Sequence, residues 1–165
     1  GKGNFDISLT LNPFNYFNQG QSYTIIGYGI TKNIDFHFYY SIGNKLDNYY
    51  AGIFYQFINH ERIDLSTALG IRKFTSNTLS NYFLPQLLYT IKLNNKFKIG
   101  GSFVDVRNKN MNSNGITIDT FLTKEIYSNK KINIDFSLGI FRPVLWQPNN
   151  GEFHGTYSLS IKLKN

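Results

Sequence analysis

Asp35 and His37 are the first residues along this chain whose types and spacing could do chemistry. Residues two apart on an extended strand share a face, so a carboxylate at 35 can orient an imidazole at 37 for proton transfer. Further charges of the same kind recur at Asp6, Asp64 and Asp135, with Lys92, Lys98 and Lys162 as candidate counter-charges. Stronger constellations are missing. The other histidines, His60 and His154, fall in a turn and at the opening of the last strand, so the three do not cluster. There is no cysteine, which excludes disulfides, thiol nucleophiles and thiolate metal sites. No metal-ligand spacing, phosphate-cradling glycine loop before a helix, or nucleophile elbow is present, so neither a metal nor a cofactor is expected.

The elements that must hold these groups are strands. Along 63–72, Ile63, Leu65, Thr67, Leu69 and Ile71 alternate with Asp64, Ser66, Ala68, Gly70 and Arg72. The stretch from 132 repeats the pattern: Ile132, Ile134, Phe136, Leu138 and Ile140 against Asn133, Asp135, Ser137, Gly139 and Phe141. The first strand offers Phe5, Ile7, Leu9 and Leu11, and the last offers Tyr157, Leu159, Ile161 and Leu163. Strict alternation over such lengths marks strands whose two faces meet different surroundings. Strands are predicted at 5–12, 22–30, 34–41, 49–57, 63–74, 82–93, 97–106, 116–124, 131–141 and 155–164. Most are longer than the five or six residues usual in globular sheets, and they suit the nine to eleven that a tilted strand needs to cross a bilayer. No stretch approaches the roughly 20 apolar residues of a membrane helix.

The links alternate in length. Tight ones at 31–33 and 94–96 and shorter ones at 58–62 and 125–130 are interleaved with long ones at 13–21, 42–48, 75–81, 107–115 and 142–154. Short turns at one end and long loops at the other, with about ten antiparallel strands, predict an all-β, closed, up-and-down barrel. The length of 165 residues fits a single β-barrel domain over 1–165, with both termini at the short-turn end. Residues 1–4 are polar and lack the apolar core of a signal peptide, so a secreted chain would stand here in mature form.

Period two does not say which face points out. A soluble, secreted, lipocalin-like barrel has the same alternation with its apolar face turned inward around an apolar ligand, in an aromatic-lined cavity. Two features favour the outward reading. Only 16% of residues are charged, whereas 17% are aromatic, with 12 Tyr and 15 Phe. The polar face is also built of Ser, Gly, Asp, Asn and Thr, small enough for a narrow lumen, whereas a water-facing sheet is usually rich in Lys, Glu, Thr and Arg. Aromatics then fall where membrane-interface girdles belong: Phe14, Tyr16, Phe17, Tyr40, Tyr49, Tyr82, Phe83 and Trp146 at the loop end, and Phe57, Phe97 and Tyr127 at the turn end.

With these features the chain resembles small bacterial outer-membrane β-barrel proteins. The segment Gly27-Tyr28-Gly29-Ile30-Thr31-Lys32-Asn33-Ile34-Asp35-Phe36 is similar to their strand–tight turn–strand hairpins. The resemblance covers nearly the whole chain and implies an outer-membrane location, with a periplasmic or secreted protein as the alternative, but assigns no activity. Members of that group usually end in an aromatic residue, whereas this chain ends Lys162-Leu163-Lys164-Asn165. The Asp35-x-His37 pair also resembles that of the omptin proteases, ten-stranded barrels. Catalysis there needs the pair at the loop end, facing a second carboxylate pair, and here it follows a tight turn at the opposite end. No enzyme is expected.

A luminal polar face would gather Asp6, Asp35, His37, Asp64, Lys92, Lys98, Asp135 and Lys162 at the turn end, with barrel closure bringing Lys162 beside Asp6. Charges in a confined lumen must pair or hydrogen-bond, so a structural ion-pair network filling the lumen with polar side chains is the plain expectation, and a charge-selective constriction the sharper one. The net charge of +7 lies largely in turns and loops, at Lys32, Lys45, Lys73, Arg107, Lys109, Lys130 and Lys131. It suits membrane lipid or lipopolysaccharide phosphates, or simply a solubilising rim. It is not clustered as nucleic-acid binding requires. The expected function is an outer-membrane barrel with a structural, surface-interaction or narrow-pore role, with a small solute or ligand as a possible partner. Oligomeric state is not legible.

Overall fold

Alternating residues fix which side of a strand each side chain occupies, and the register between strands then decides what it meets. The computed structural model describes residues 2–11, 22–42, 48–74, 82–108, 115–142 and 153–164. They form ten strands: β1 Phe5–Leu11, β2 Ser22–Gly29, β3 Ile34–Ile42, β4 Asn48–Asn59, β5 Ile63–Phe74, β6 Tyr82–Lys92, β7 Phe97–Asn108, β8 Gly115–Ser128, β9 Ile132–Arg142 and β10 His154–Leu163. Each pairs antiparallel with its sequence neighbours, and β1 pairs with β10 to close the barrel. This is the up-and-down architecture that the alternation and link lengths predict. In the closing register Asp6 stands opposite Lys162 on one side and Gly27 on the other. In the β6–β7 ladder Leu84 and Pro85 have no register partners, consistent with the missing N–H of Pro85.

The four short links lie at one end, at residues 30–33, 60–62, 93–96 and 129–131. In each, an early side chain accepts hydrogen bonds from the backbone ahead of it. Asn94 Oδ1 accepts from the N–H of Lys96 and Phe97, both at 2.9 Å. Asn129 Oδ1 accepts from Lys131 and Ile132 at 2.8 and 2.7 Å. Thr31 Oγ1 accepts from Asn33 and Ile34, and His60 Nδ1 from Arg62. Side chains that satisfy the backbone two and three residues on are what turns select. Asn129→Ala is expected to lower stability by about 1 kcal/mol, the net worth of a lost hydrogen bond or two at an exposed site, read as a shift in urea midpoint.

Two of these links are shorter than the sequence suggests, because β4 and β8 run further than predicted. Both carry a bulge near the turn: the β4–β5 register shifts between Gln56 and Ile58, and the β8–β9 register between Glu125 and Tyr127. One extra residue flips the parity beyond it, so Phe57 and Ile58 are both exposed, as are Ile126 and Tyr127.

The apolar face points outward. Leu69 is 52% exposed, Ile71 56%, Leu138 56% and Ile116 61%, and Ile7, Leu9, Ile26, Ile53, Leu87, Phe103, Leu122 and Leu159 follow the same rule. The inward-facing, ligand-carrying alternative requires the opposite parity and is not the barrel that forms. The inside holds the polar face together with a cluster of Tyr50, Leu84 and Val106, packed by Tyr39, Phe54 and Val104.

Candidate functional site

The lumen is the site the fold builds, and its wall comes from every second residue. Its cavity measures about 1270 Å³. The lining runs from Asn4, Gly29 and Lys164 at the turn end to Arg72, Val106 and Thr156 further along the strands. Two observations bear on the expectation of a lumen largely filled by polar side chains. Space remains inside, and Ile25, Phe54, Leu88, Val104 and Phe121 line it alongside the polar residues. A ten-stranded barrel is wide enough that side chains of Ser, Gly and Thr do not fill it.

The predicted charges are brought to the turn end, and they differ in surroundings. Lys98 Nζ lies 2.6 Å from Asp135 Oδ2, and Asp135 also accepts from Asn133 Nδ2 at 3.0 Å. Asp135 is 2% exposed, so this pair is held largely out of water. Lys92 Nζ lies 3.0 Å from Asp64 Oδ2 and reaches the His60 carbonyl at 3.4 Å. That second pair is far more open, with 40% of the lysine side chain exposed, so it is worth at most about 1 kcal/mol. Asp6 accepts from Ser160 Oγ at 3.2 Å and faces Lys162 in register.

His37 shares a cross-strand row with Gly27 and Asp6. Its ring stacks on Phe54 at 4.0 Å between centroids. A Cβ built on Gly27 would sit in ordinary contact with His37 Nε2 and with Asp6 Cβ, so the glycine marks the gap between them. Asp35 and His37 lie just past the 30–33 turn, at the end opposite the one an omptin-like reaction uses. Among the described residues no three metal-ligating side chains converge.

Sequence reasoning missed a carboxylate and an aromatic array. Asp119 lines the cavity, and its two oxygens accept from the Ser102 N–H at 2.5 Å and the Ser102 Oγ at 2.7 Å. Ser102 and Asp119 are register partners on β7 and β8, so only strand pairing reveals the match. Toward the loop side, Tyr39 stacks on Tyr50 with centroids 5.2 Å apart and planes at 11°. Arg72 Cζ stands 5.5 Å from the Tyr39 ring centroid, and Gln86 Nε2 donates to Tyr50 Oη at 2.9 Å. One element of sequence did signal this array: Arg72 shares its face with Asp64 and Ser66.

Of the predicted interface aromatics, Tyr40, Phe57, Phe83 and Tyr127 are exposed, and Tyr49 and Phe97 are half-buried. Tyr40 and Tyr49 are cross-strand partners. Lys124 lies with its Nζ 5.7 Å over the Phe97 ring, its own register partner. Phe14, Tyr16, Phe17 and Trp146 fall outside the described residues, and Tyr82 is described only in its backbone. A row that the sequence reading left out, Phe5–Tyr28–Phe36, crosses β1, β2 and β3 near the turn end.

No family model matches the chain, and no curated protein matches its sequence. Among solved structures, the chain is similar to a KdgM porin in complex with disordered oligogalacturonate. The TM-score is 0.60 at 9% identity, covering 98% of this chain and 99% of that one. At that identity the likeness is one of fold. The chain has the closed antiparallel barrel of a porin, in keeping with its resemblance to small outer-membrane barrels.

Proposed function

We propose that this protein is an outer-membrane barrel that works as a narrow pore for small solutes. The observation that carries the reading is the cavity of about 1270 Å³, whose lining runs from the turn end along the strands inside a wall that is apolar on its outer side. An exterior of Leu, Ile and aromatic side chains suits lipid, and a lumen edged by carboxylates, hydroxyls and lysines suits water. The lysines at the turns, Lys32, Lys130 and Lys131, suit contact with lipid phosphates. This reading gives Asp35 and His37 no catalytic role.

The porin with the similar fold is in complex with disordered oligogalacturonate, a polyanion. The pore role carries over more readily than that solute does. Among the described lining residues, Asp6, Asp35, Asp119 and Glu125 stand against Arg72, Lys92, Lys162 and Lys164. Lys92 is already engaged by Asp64. A polyanion gains little from a wall with no surplus of cations.

Purified protein inserted into planar lipid bilayers is expected to give discrete conductance steps. Verified insertion with no steps at any voltage would remove the pore reading and leave a structural or surface role.

A further inference from the structure

Resting on the pore reading, we propose that Gly52 and Gly70 set the bore of the lumen by seating the Tyr50 ring flat against the wall, so that the position of Tyr50, and of the Tyr39 and Arg72 side chains built on it, decides the size of solute that passes. Gly52 and Gly70 are register partners on β4 and β5, and both are buried. Tyr50 faces the lumen two residues before Gly52, and its ring lies across both glycines. A Cβ on Gly52 would overlap the Tyr50 ring and hydroxyl, and a Cβ on Gly70 would overlap the Cζ end of the same ring. The ring occupies the volume that two side chains would otherwise fill, which leaves Tyr50 only 3% exposed.

Two contacts hold it there. Gln86, from β6, donates to the Tyr50 hydroxyl, and Tyr39, from β3, stacks against the ring. Tyr39 and Arg72 both build on this base, so whatever displaces Tyr50 displaces the array. At both glycines the three atoms nearest an added Cβ belong to the Tyr50 ring and hydroxyl, so it is the ring that must shift. Closely packed side chains pass added volume on to their neighbours instead of absorbing it. A methyl at position 52 or 70 therefore drives the ring into the passage.

A different glycine pairing serves as an internal comparison. Tyr89 lies over Gly101 on the outer face and its hydroxyl meets Thr120 Oγ1 at 2.7 Å. A side chain added at Gly101 meets the backbone carbonyl of Asp119 as well as the Tyr89 ring, so it strains the β7–β8 pairing itself and does not simply move a ring.

The test is single-channel conductance of the parent, Gly70→Ala, Gly52→Ala, Tyr50→Ala and the double variant Gly70→Ala/Tyr50→Ala. It is joined by the swelling of liposomes in neutral sugars of graded size, with folding checked by heat-dependent gel migration. Each glycine variant is expected to lower conductance by about twofold and to shift the sugar cut-off downward, because added volume in a packed wall is transmitted. Tyr50→Ala is expected to raise conductance, and the double variant to conduct like Tyr50→Ala, since the methyl then meets no ring. A conducting parent whose folded Gly70→Ala variant is unchanged overturns the proposal while leaving the pore reading intact. So does a folded Tyr50→Ala variant that conducts like the parent, which keeps the proposal exposed even where both glycine variants fail to fold. A correctly inserted parent that does not conduct overturns the pore reading, and this proposal with it.

Discussion

Replacing Lys98 by Met is expected to destabilise the barrel by about 3 kcal/mol, because it strands the Asp135 carboxylate with no counter-charge in a site largely closed to water. The lysine reaches Asp135 at 2.6 Å, and the remaining donor, Asn133 Nδ2, is neutral. The burial of Asp135 decides the size of the effect. At the neighbouring pair, Lys92→Met leaves Asp64 with ready access to water, and its cost should stay under about 1 kcal/mol. Urea unfolding in lipid vesicles separates the two. The double variant Lys98→Met/Asp135→Leu should recover most of the loss, since an apolar pair replaces an ion pair without leaving a lone charge. Equal, small losses from Lys98→Met and Lys92→Met would mean that the lumen around Asp135 is as wet as the mouth.

The second large effect belongs to the outer wall. Leu69→Arg is expected to cost about 2–4 kcal/mol and to impair insertion, because in the proposed outer-membrane setting it places a cation against lipid in the middle of β5. Ser66→Arg, three residues earlier on the luminal face, should be borne far better. The cavity beside Ser66 has room for the longer side chain, and the exposed flank of Leu69 does not meet water in a membrane. Folding yields of both variants into vesicles, scored by heat-dependent gel migration, give the comparison. The reverse order of tolerance would contradict the outward-facing assignment.

Much of this fold was legible because a sheet records its two environments residue by residue. Along 63–72 and 132–141 each position alternates, and the structure places Leu69, Ile71, Leu138 and Ile140 outside as that alternation requires. The limits of legibility are equally specific. The alternation lapses at Phe57–Ile58 and Ile126–Tyr127, where it reads as the end of a strand. It is instead a bulge, one extra residue that keeps both neighbours on the outer face. The charges at Asp6, Asp64, Lys92, Lys98, Asp135 and Lys162 could be assigned to one end from their distance to the turns. Who pairs with whom follows from register and reach across non-adjacent strands: Lys98 on β7 meets Asp135 on β9, skipping β8.

Asp119 and Ser102 were invisible for the same reason, since nothing local to either residue names its partner. The glycines show the deepest gap. A glycine in a strand signals relieved crowding or a bend and does not name its neighbour; the structure specifies the ring that some of them accommodate: Tyr50 for Gly52 and Gly70, Phe121 for Gly139.

The account turns on one claim, that the apolar face meets lipid and the polar face meets water inside. The chain has no cysteine, so single cysteines report on each face without background. Leu69→Cys and Ile71→Cys should resist a water-soluble, membrane-impermeant thiol reagent when the protein is folded in vesicles, whereas Ser66→Cys and Gln56→Cys, both lining the cavity, should react. Labelling at 69 and 71 with protection at 56 and 66 would contradict the account, because the apolar face would then lie in water.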